Sequence, residues 1–281
     1  MKGSAALARW SRLLLKRARS PYDALRTGVY LVSFPKCGRT WLRVLIGKAL
    51  CEAYHLPEAL LLDTYTLTKR AGLLRTRVTH DDASIKEGRP YQRLSWGKRR
   101  YRGKKVVFLV RDVRDVLVSC YFQATRRVKC FEGSISDFIR SDAYGARKVV
   151  TFYNIWHTNR HIPQDFLLVR YEEMRADPRK VLWEVLRFLG AQRMEDGVLD
   201  RAVAYASFDN MKELERQRSF ESRMVQPGDA GDAESFKVRR GAVGGYREYL
   251  SPDDIRYVDD VVRELGCPFD ERVTEEKGER P

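Results

Sequence analysis

No apolar run in the 281 residues is long enough to cross a bilayer. Leu13-Leu14-Leu15 comes nearest, and Arg9, Arg12, Lys16, Arg17 and Arg19 interrupt it, which argues against a signal peptide or a spanning helix. Cysteine is scarce and odd in number: Cys37, Cys51, Cys120, Cys130 and Cys267 show no paired short spacings, so neither a disulfide framework nor a metal site is expected. Histidine is rarer still, with only His55, His80, His157 and His161 to serve any acid–base chemistry near neutral pH. There is no internal repeat and no G-x-x-x-x-G-K-[ST] loop, because the lysine of the turn Lys36-Cys37-Gly38 precedes its glycine. That absence weakens a nucleoside-triphosphate reading and leaves a soluble, unprocessed cytoplasmic protein as the expectation.

What remains is a core-forming, strongly basic chain. A hydrophobic content of 43% is enough for a sizeable core, and 53 Lys and Arg against 38 Asp and Glu give a net charge of +15 that draws anions into any cleft. Residues 1–25 read as a basic segment and 26–281 as one domain. Leu7, Trp10 and Leu14 fall at helical spacing among cations, a pattern suited to weak contact of residues 1–20 with an anionic membrane surface; packing on the domain itself is the favoured alternative.

Three times an apolar run is followed by a polar turn and a helix-period segment, the pattern of an α/β domain with a central parallel sheet flanked by helices. The first unit runs from Val29 to Phe34, turns through Pro35 to Arg39 and enters a helix near Thr40 to Leu50. The second joins Val106 to Val110, Arg111 to Arg114 and an apolar helix near Val116 to Phe122. The third joins Phe166 to Val169, Tyr171-Glu172-Glu173 and a helix opened by Asp177-Pro178 and closed by Gly190. Ligands of such sheets bind beyond the carboxyl ends of the strands, so Lys36, Arg111 and Tyr171 are expected at one crevice. Gln226 to Asp232 reads as a surface loop, and Arg239 to Tyr246 sets paired cations beside glycine-rich backbone.

The turn Pro35-Lys36-Cys37-Gly38-Arg39-Thr40-Trp41 can present backbone N–H groups, two cations and a helix start to an anion. Thr40 is expected to cap that helix, and Trp41 offers a flat face. An ordinary basic turn is the alternative. Arg111-Asp112-Val113-Arg114-Asp115, with Ser119 two helical turns on, provides an Arg fork and a hydroxyl for a phosphate; a structural salt-bridge corner is the alternative there.

Taken together these stretches resemble the donor-binding motifs of the cytosolic-type sulfotransferase family. Its P-K-[SC]-G-T-T-W-L pattern matches Pro35 to Leu42, R-D-x-R-D-x-x-x-S matches Arg111 to Ser119, and Y-E-D-M matches Tyr171 to Met174. S-F-x-x-M matches Ser207 to Met211 and R-K-G-x-x-G-D-W matches Arg239 to Tyr246, all in the family's order between about Tyr30 and Phe269. The resemblance implies a P-loop-like fold and sulfuryl transfer from 3′-phosphoadenosine-5′-phosphosulfate (PAPS), leaving 3′-phosphoadenosine-5′-phosphate (PAP), with no metal. It implies that Lys36, Cys37, Gly38, Arg39 and Thr40 hold the 5′-phosphosulfate. Arg111, Ser119, Arg239, Arg240 and the Gly241 backbone would hold the 3′-phosphate, and Trp41, Tyr171, Ser207 and Phe208 would surround the adenine.

His80, in Val78-Thr79-His80-Asp81-Asp82, stands where the family carries its general base, with Lys36 stabilising charge on the departing phosphate. His157 and His161 read as surface or packing residues. Three departures stand out: Arg39 for threonine, Ala206 for a threonine before Ser207, and Val78 for a lysine before Thr79. Arg39 or a cation such as Arg77 is expected to supply the missing charge. The competing readings are a P-loop kinase, for which neither a magnesium site nor a Walker lysine is evident, and a nucleic-acid binder using Lys98-Arg99-Arg100-Tyr101-Arg102 and Lys104-Lys105. That run reads rather as a solvated loop, so no nucleic acid is expected. Acceptor choice falls to Asp63 to Leu74, Gly88 to Gly97 and Leu214 to Asp232, so a small-molecule or glycan acceptor, hydroxyl or amine, stays open, as does the oligomeric state. Asp253 to Glu264 reads as an acidic–basic helix.

Overall fold

The computed structural model describes residues 25–192, 194–217, 229, 231–238 and 241–270. The amino-terminal amphipathic pattern, most of the Gln226 to Asp232 loop, and Arg239 and Arg240 lie outside the described residues. Four parallel strands form one sheet in the order β2-β1-β3-β4: β1 Val29–Ser33, β2 Thr76–Thr79, β3 Lys105–Val110 and β4 Asp165–Arg170. The central strands β1 and β3 are apolar on both faces because helices cover both, and the register aligns Val32 with Phe108 and Thr79. Phe108 anchors this interior, its ring stacked 5.4 Å from Trp156 and 5.9 Å from Phe152.

The expected strands and helices are present, but Tyr171-Glu172-Glu173, read as the turn of the third unit, opens a short helix instead. α1 (Arg39–Ala53) follows β1; α2 (Thr64–Arg70), capped by Asp63, leads into β2; α3 (Val113–Phe122) follows β3. α4 (Ile135–Arg140) and α5 (Ala146–Thr158) return to β4, after which come α6 (Tyr171–Ala176), α7 (Pro178–Phe188), α8 (Val198–Tyr205) and α9 (Phe208–Arg216). α10 (Pro252–Leu265) fills the stretch read as an acidic–basic helix and packs on α5.

Local chemistry sets these boundaries. Asp112 accepts the backbone N–H groups of Arg114 and Asp115, so α3 starts three residues earlier than its apolar pattern suggests. Asp177 caps α7 and Pro178 takes its first turn, as the sequence predicts. α1 departs from expectation: it starts at Arg39 with Gly38 in the N-cap position, and no side chain caps it, so Thr40 lies inside the first turn. Its leading N–H groups are therefore left for a ligand.

The basic run at 98–105 departs from a solvated loop at two positions. Lys98 is 2% exposed, pairs with Asp81 at 2.6 Å, and lies over the Trp156 ring; Tyr101 is buried and donates its hydroxyl to Asp81 at 2.8 Å. Arg100 pairs with the same carboxylate. Lys98 and Tyr101 are thus internal, while Arg99, Arg100 and Arg102 stay exposed. Among the described residues no helix is long and apolar enough to cross a membrane.

Candidate active site

The carboxyl ends of all four strands open onto one cavity of about 610 Å³. Lys36, Gly38, Arg39, Thr40 and Trp41 enter it from the β1–α1 turn, His80 from the end of β2, Arg111 and Ser119 from β3 and α3, and Tyr171 from the end of β4. Phe208 and Gly241 complete it from α9 and the glycine-rich segment. Eleven residues expected from sequence thus share one wall, gathered from positions as far apart as 36 and 241.

The β1–α1 turn depends on unusual backbone. Lys36 has φ 69° and Gly38 φ 89°, both left-handed. A β-carbon on Gly38 would lie 2.5 Å from Cδ2 of Tyr171, so the glycine serves the close approach of loop to ring as well as the dihedral. Tyr171 is held in turn: its hydroxyl donates to the Gly241 carbonyl at 3.2 Å, the Arg111 guanidinium lies 4.2 Å from its ring centroid, and Trp41 meets it edge-on at 6.0 Å. The indole N–H of Trp41 donates to the Ala206 carbonyl at 2.8 Å, which fixes the ring by a backbone contact that any residue at 206 could make.

Arg111 is the junction between two loops. Its Nη1 donates to the Lys36 carbonyl at 3.4 Å and its Nη2 to the Ala242 carbonyl at 3.0 Å, while its buried Nε has no partner. Asp115, one turn on, accepts the backbone N–H groups of Gly244 at 2.8 Å and Tyr246 at 3.0 Å. The glycine-rich segment is therefore clamped to α3 by a cation and a carboxylate. The remaining corner is also ionic: Arg114, almost wholly buried, bonds Asp112 at 2.9 Å, Asp270 at 3.3 Å and Asp259.

His80 sits between β1 and α1. Its Nδ1 lies 3.0 Å from the Ser33 carbonyl and its Nε2 2.6 Å from Nη2 of Arg39. A carbonyl can only accept and a guanidinium can only donate, so Nδ1 carries the proton and Nε2 presents its lone pair to Arg39. Burial, then the positive charge of Arg39, hold the imidazole pKa well below its ordinary value, and Lys237 and Arg43 act in the same direction. Arg39 itself is lowered to about 9 by burial and by Arg43, and its buried Nη1 has no partner.

Two expected residues do not line this cavity with their side chains. Cys37 turns into the core, its Sγ 3.3 Å from the Tyr153 hydroxyl, and burial pushes its thiol up to about 12. Ser207 is exposed at the N-cap of α9, outside the lining. Arg77 is likewise absent from the lining; the supplementary cations are Lys237, Arg127, Lys86 and Arg175. Arg127 and Gln123 reach the cavity because α3 continues into a π-helical turn over Gln123–Val128, a widening that apolar periodicity does not reveal. Buried Glu215 positions Lys237 by accepting the backbone N–H groups of residues 237 and 238 at 2.6 and 2.8 Å. Lys237 lies in no motif read from the sequence, and its distance from His80 in the chain hid their meeting at the cavity.

Comparison with known proteins shows the family and the fold. Residues 26–270 match the sulfotransferase domain. Cytosolic sulfotransferase 5 of Arabidopsis thaliana is 24% identical, over 90% of this chain and 82% of its own length, and flavonol 3-sulfotransferase of Flaveria bidentis is 24% identical, over 86% and 83%. Among solved structures, mouse sulfotransferase SULT7A1 complexed with PAP superposes with a TM-score of 0.59 at 22% identity, covering 90% of this chain and 89% of that one. Retinol dehydratase in complex with retinol and PAP gives 0.63 at 16%, covering 92% and 87%. The domain match runs from ahead of β1 to beyond α10, and the chain belongs to the sulfotransferase family.

Proposed function

We propose that this protein transfers a sulfuryl group from PAPS to a hydroxyl or amine of a small-molecule or glycan acceptor. The observation that carries the reading is the meeting of Lys36, Arg39, Arg111 and Lys237 with an uncapped helix start in one cavity, where buried guanidinium nitrogens of Arg39 and Arg111 lack partners. Such a site is unsatisfied without an anion. Both solved relatives cited above bind PAP by their descriptions, which supports a 3′-phosphorylated adenosine as the ligand class.

In this reading Lys36, Arg39, Thr40 and the first N–H groups of α1 hold the 5′ end of the donor, with Gly38 admitting the close approach. Arg111 and Ser119 take the 3′-phosphate together with the Gly241 backbone, joined by Arg239 and Arg240, which lie outside the described residues. Trp41, Phe208 and Tyr171 offer flat faces to the base. The acceptor oxygen or nitrogen attacks sulfur in line, the bond from sulfur to the bridging phosphate oxygen breaks, and its electron pair leaves with PAP beside Lys36. The acceptor's proton passes to Nε2 of His80, the imidazole atom that bears the lone pair.

The test is calorimetry with PAP, with adenosine 5′-phosphate as the control and Arg111→Ala as the variant. PAP binding that depends on both the 3′-phosphate and Arg111 is expected, followed by loss of sulfuryl transfer in His80→Ala by about 10²- to 10⁴-fold. Equal binding of the two nucleotides, or of neither, refutes the donor assignment.

A further inference from the structure

The contact between Arg39 and His80 conflicts with the base role as the site stands. Neutral imidazole has one lone pair, on Nε2, and that lone pair accepts the Arg39 Nη2–H at 2.6 Å while Nδ1–H is committed to the Ser33 carbonyl at 3.0 Å. His80 cannot take a proton from an acceptor until Arg39 moves. Arg39 has a reason to move: it stands on the first turn of an uncapped helix, its Nη1 is buried without a partner, and Arg43 one turn on repels it. An anion at the loop would satisfy what His80 does not.

Resting on the donor reading above, we propose that Arg39 is a donor-operated guard on His80. Its guanidinium holds Nε2 until the phosphosulfate end of the donor draws it away, so that the base is free only when there is a sulfuryl group to transfer. Arg39 is thus a positioning residue that acts through His80 in one state and on the donor in the other. Because the two contacts exclude each other, the free energy holding Arg39 to His80 is subtracted from donor affinity.

This coupling is measurable without turnover, by calorimetric titration of PAP into wild type, His80→Ala, His80→Gln, Arg39→Thr and the Arg39→Thr/His80→Ala double variant. Removing the imidazole should tighten PAP binding by about tenfold, the size expected for a released hydrogen bond to a charged group. His80→Gln, which restores an acceptor oxygen, should lie near wild type, and His80→Ala should change nothing once Arg39 is threonine. A second measurement needs no variant: the His80 Nε2 resonance, in protein labelled with nitrogen-15 histidine, should shift towards that of an unbonded neutral imidazole when PAP is added. The guard is overturned if wild type binds PAP but His80→Ala binds it no tighter, if the gain persists in the Arg39→Thr background, or if the Nε2 resonance does not move. Failure of wild type to bind PAP at all overturns instead the donor reading on which the guard rests.

Discussion

Replacing Gly38 by alanine tests whether the β1–α1 turn is held by ring contact or only by its backbone dihedral. The residue has φ 89°, and a left-handed alanine costs about 1–2 kcal/mol. Its new β-carbon would also lie 2.5 Å from Cδ2 and 3.0 Å from Cε2 of Tyr171. The ring cannot simply rotate aside, because the Gly241 carbonyl holds its hydroxyl and Arg111 and Trp41 border its faces and edge. Overpacking of that kind adds about 1–3 kcal/mol, for a total of about 2–5 kcal/mol. Gly72→Ala is the matched control: its φ is 71°, and no atom lies within 4 Å of the added carbon, so it reports the dihedral cost alone. Urea denaturation of both variants, read as midpoints at equal slope, isolates the ring term by difference. Equal losses in the two variants would refute the close loop-to-ring packing described for the site.

Arg114→Ala should destabilise the fold by about 3–5 kcal/mol in the same assay, because three carboxylates, Asp112, Asp259 and Asp270, lose their common buried cation. Lys148, 1% exposed, has a pKa lowered to about 8 by burial. The unfolded chain therefore holds more protons between about pH 8 and 10.4, and stability rises with pH across that window. Lys148→Met should gain on the order of 3 kcal/mol at pH 7, less what is lost with the bond to the Ala143 carbonyl, and most of the gain should be gone by about pH 10.4. A pH series of denaturation midpoints checks it. Iodoacetamide should label Cys130 first in the folded protein, since the other four cysteines are buried; mass spectrometry showing early modification of Cys37 would contradict its placement in the core.

The strands that sequence revealed, β1, β3 and the edge strand β4, are those that carry an unbroken apolar run. β1 and β3 announce themselves as unbroken apolar runs, whereas β2, four residues reading Thr-Arg-Val-Thr at a sheet edge, carries no such signal. His80 was found by its motif, but without β2 its contact with the Ser33 carbonyl could not be foreseen. The motifs placed Lys36, Arg111 and Tyr171 correctly because each closes a strand in its own unit. Lys237, Arg127 and the Arg39 contact with His80 were not legible: they arise where segments distant in sequence meet, and no local pattern encodes such meetings. A hydroxyl at a helix start usually caps it, as expected of Thr40, but the left-handed Gly38 takes the N-cap position of α1 two residues sooner.

The parallel order β2-β1-β3-β4 also bears on how the protein comes into being during synthesis. Every strand pairing spans a long crossover, and the cavity draws on residues from 35 near one end to 249 near the other. A nascent chain that has emerged only through β3 has the β1–α1 turn but neither Tyr171 nor the segment that Arg111 and Asp115 clamp. Long-range topology of this kind folds slowly, and the nucleotide has nothing complete to grasp until nearly the whole chain has been made. Ligand present in the cell then stabilises the finished protein by mass action and leaves truncated chains unprotected.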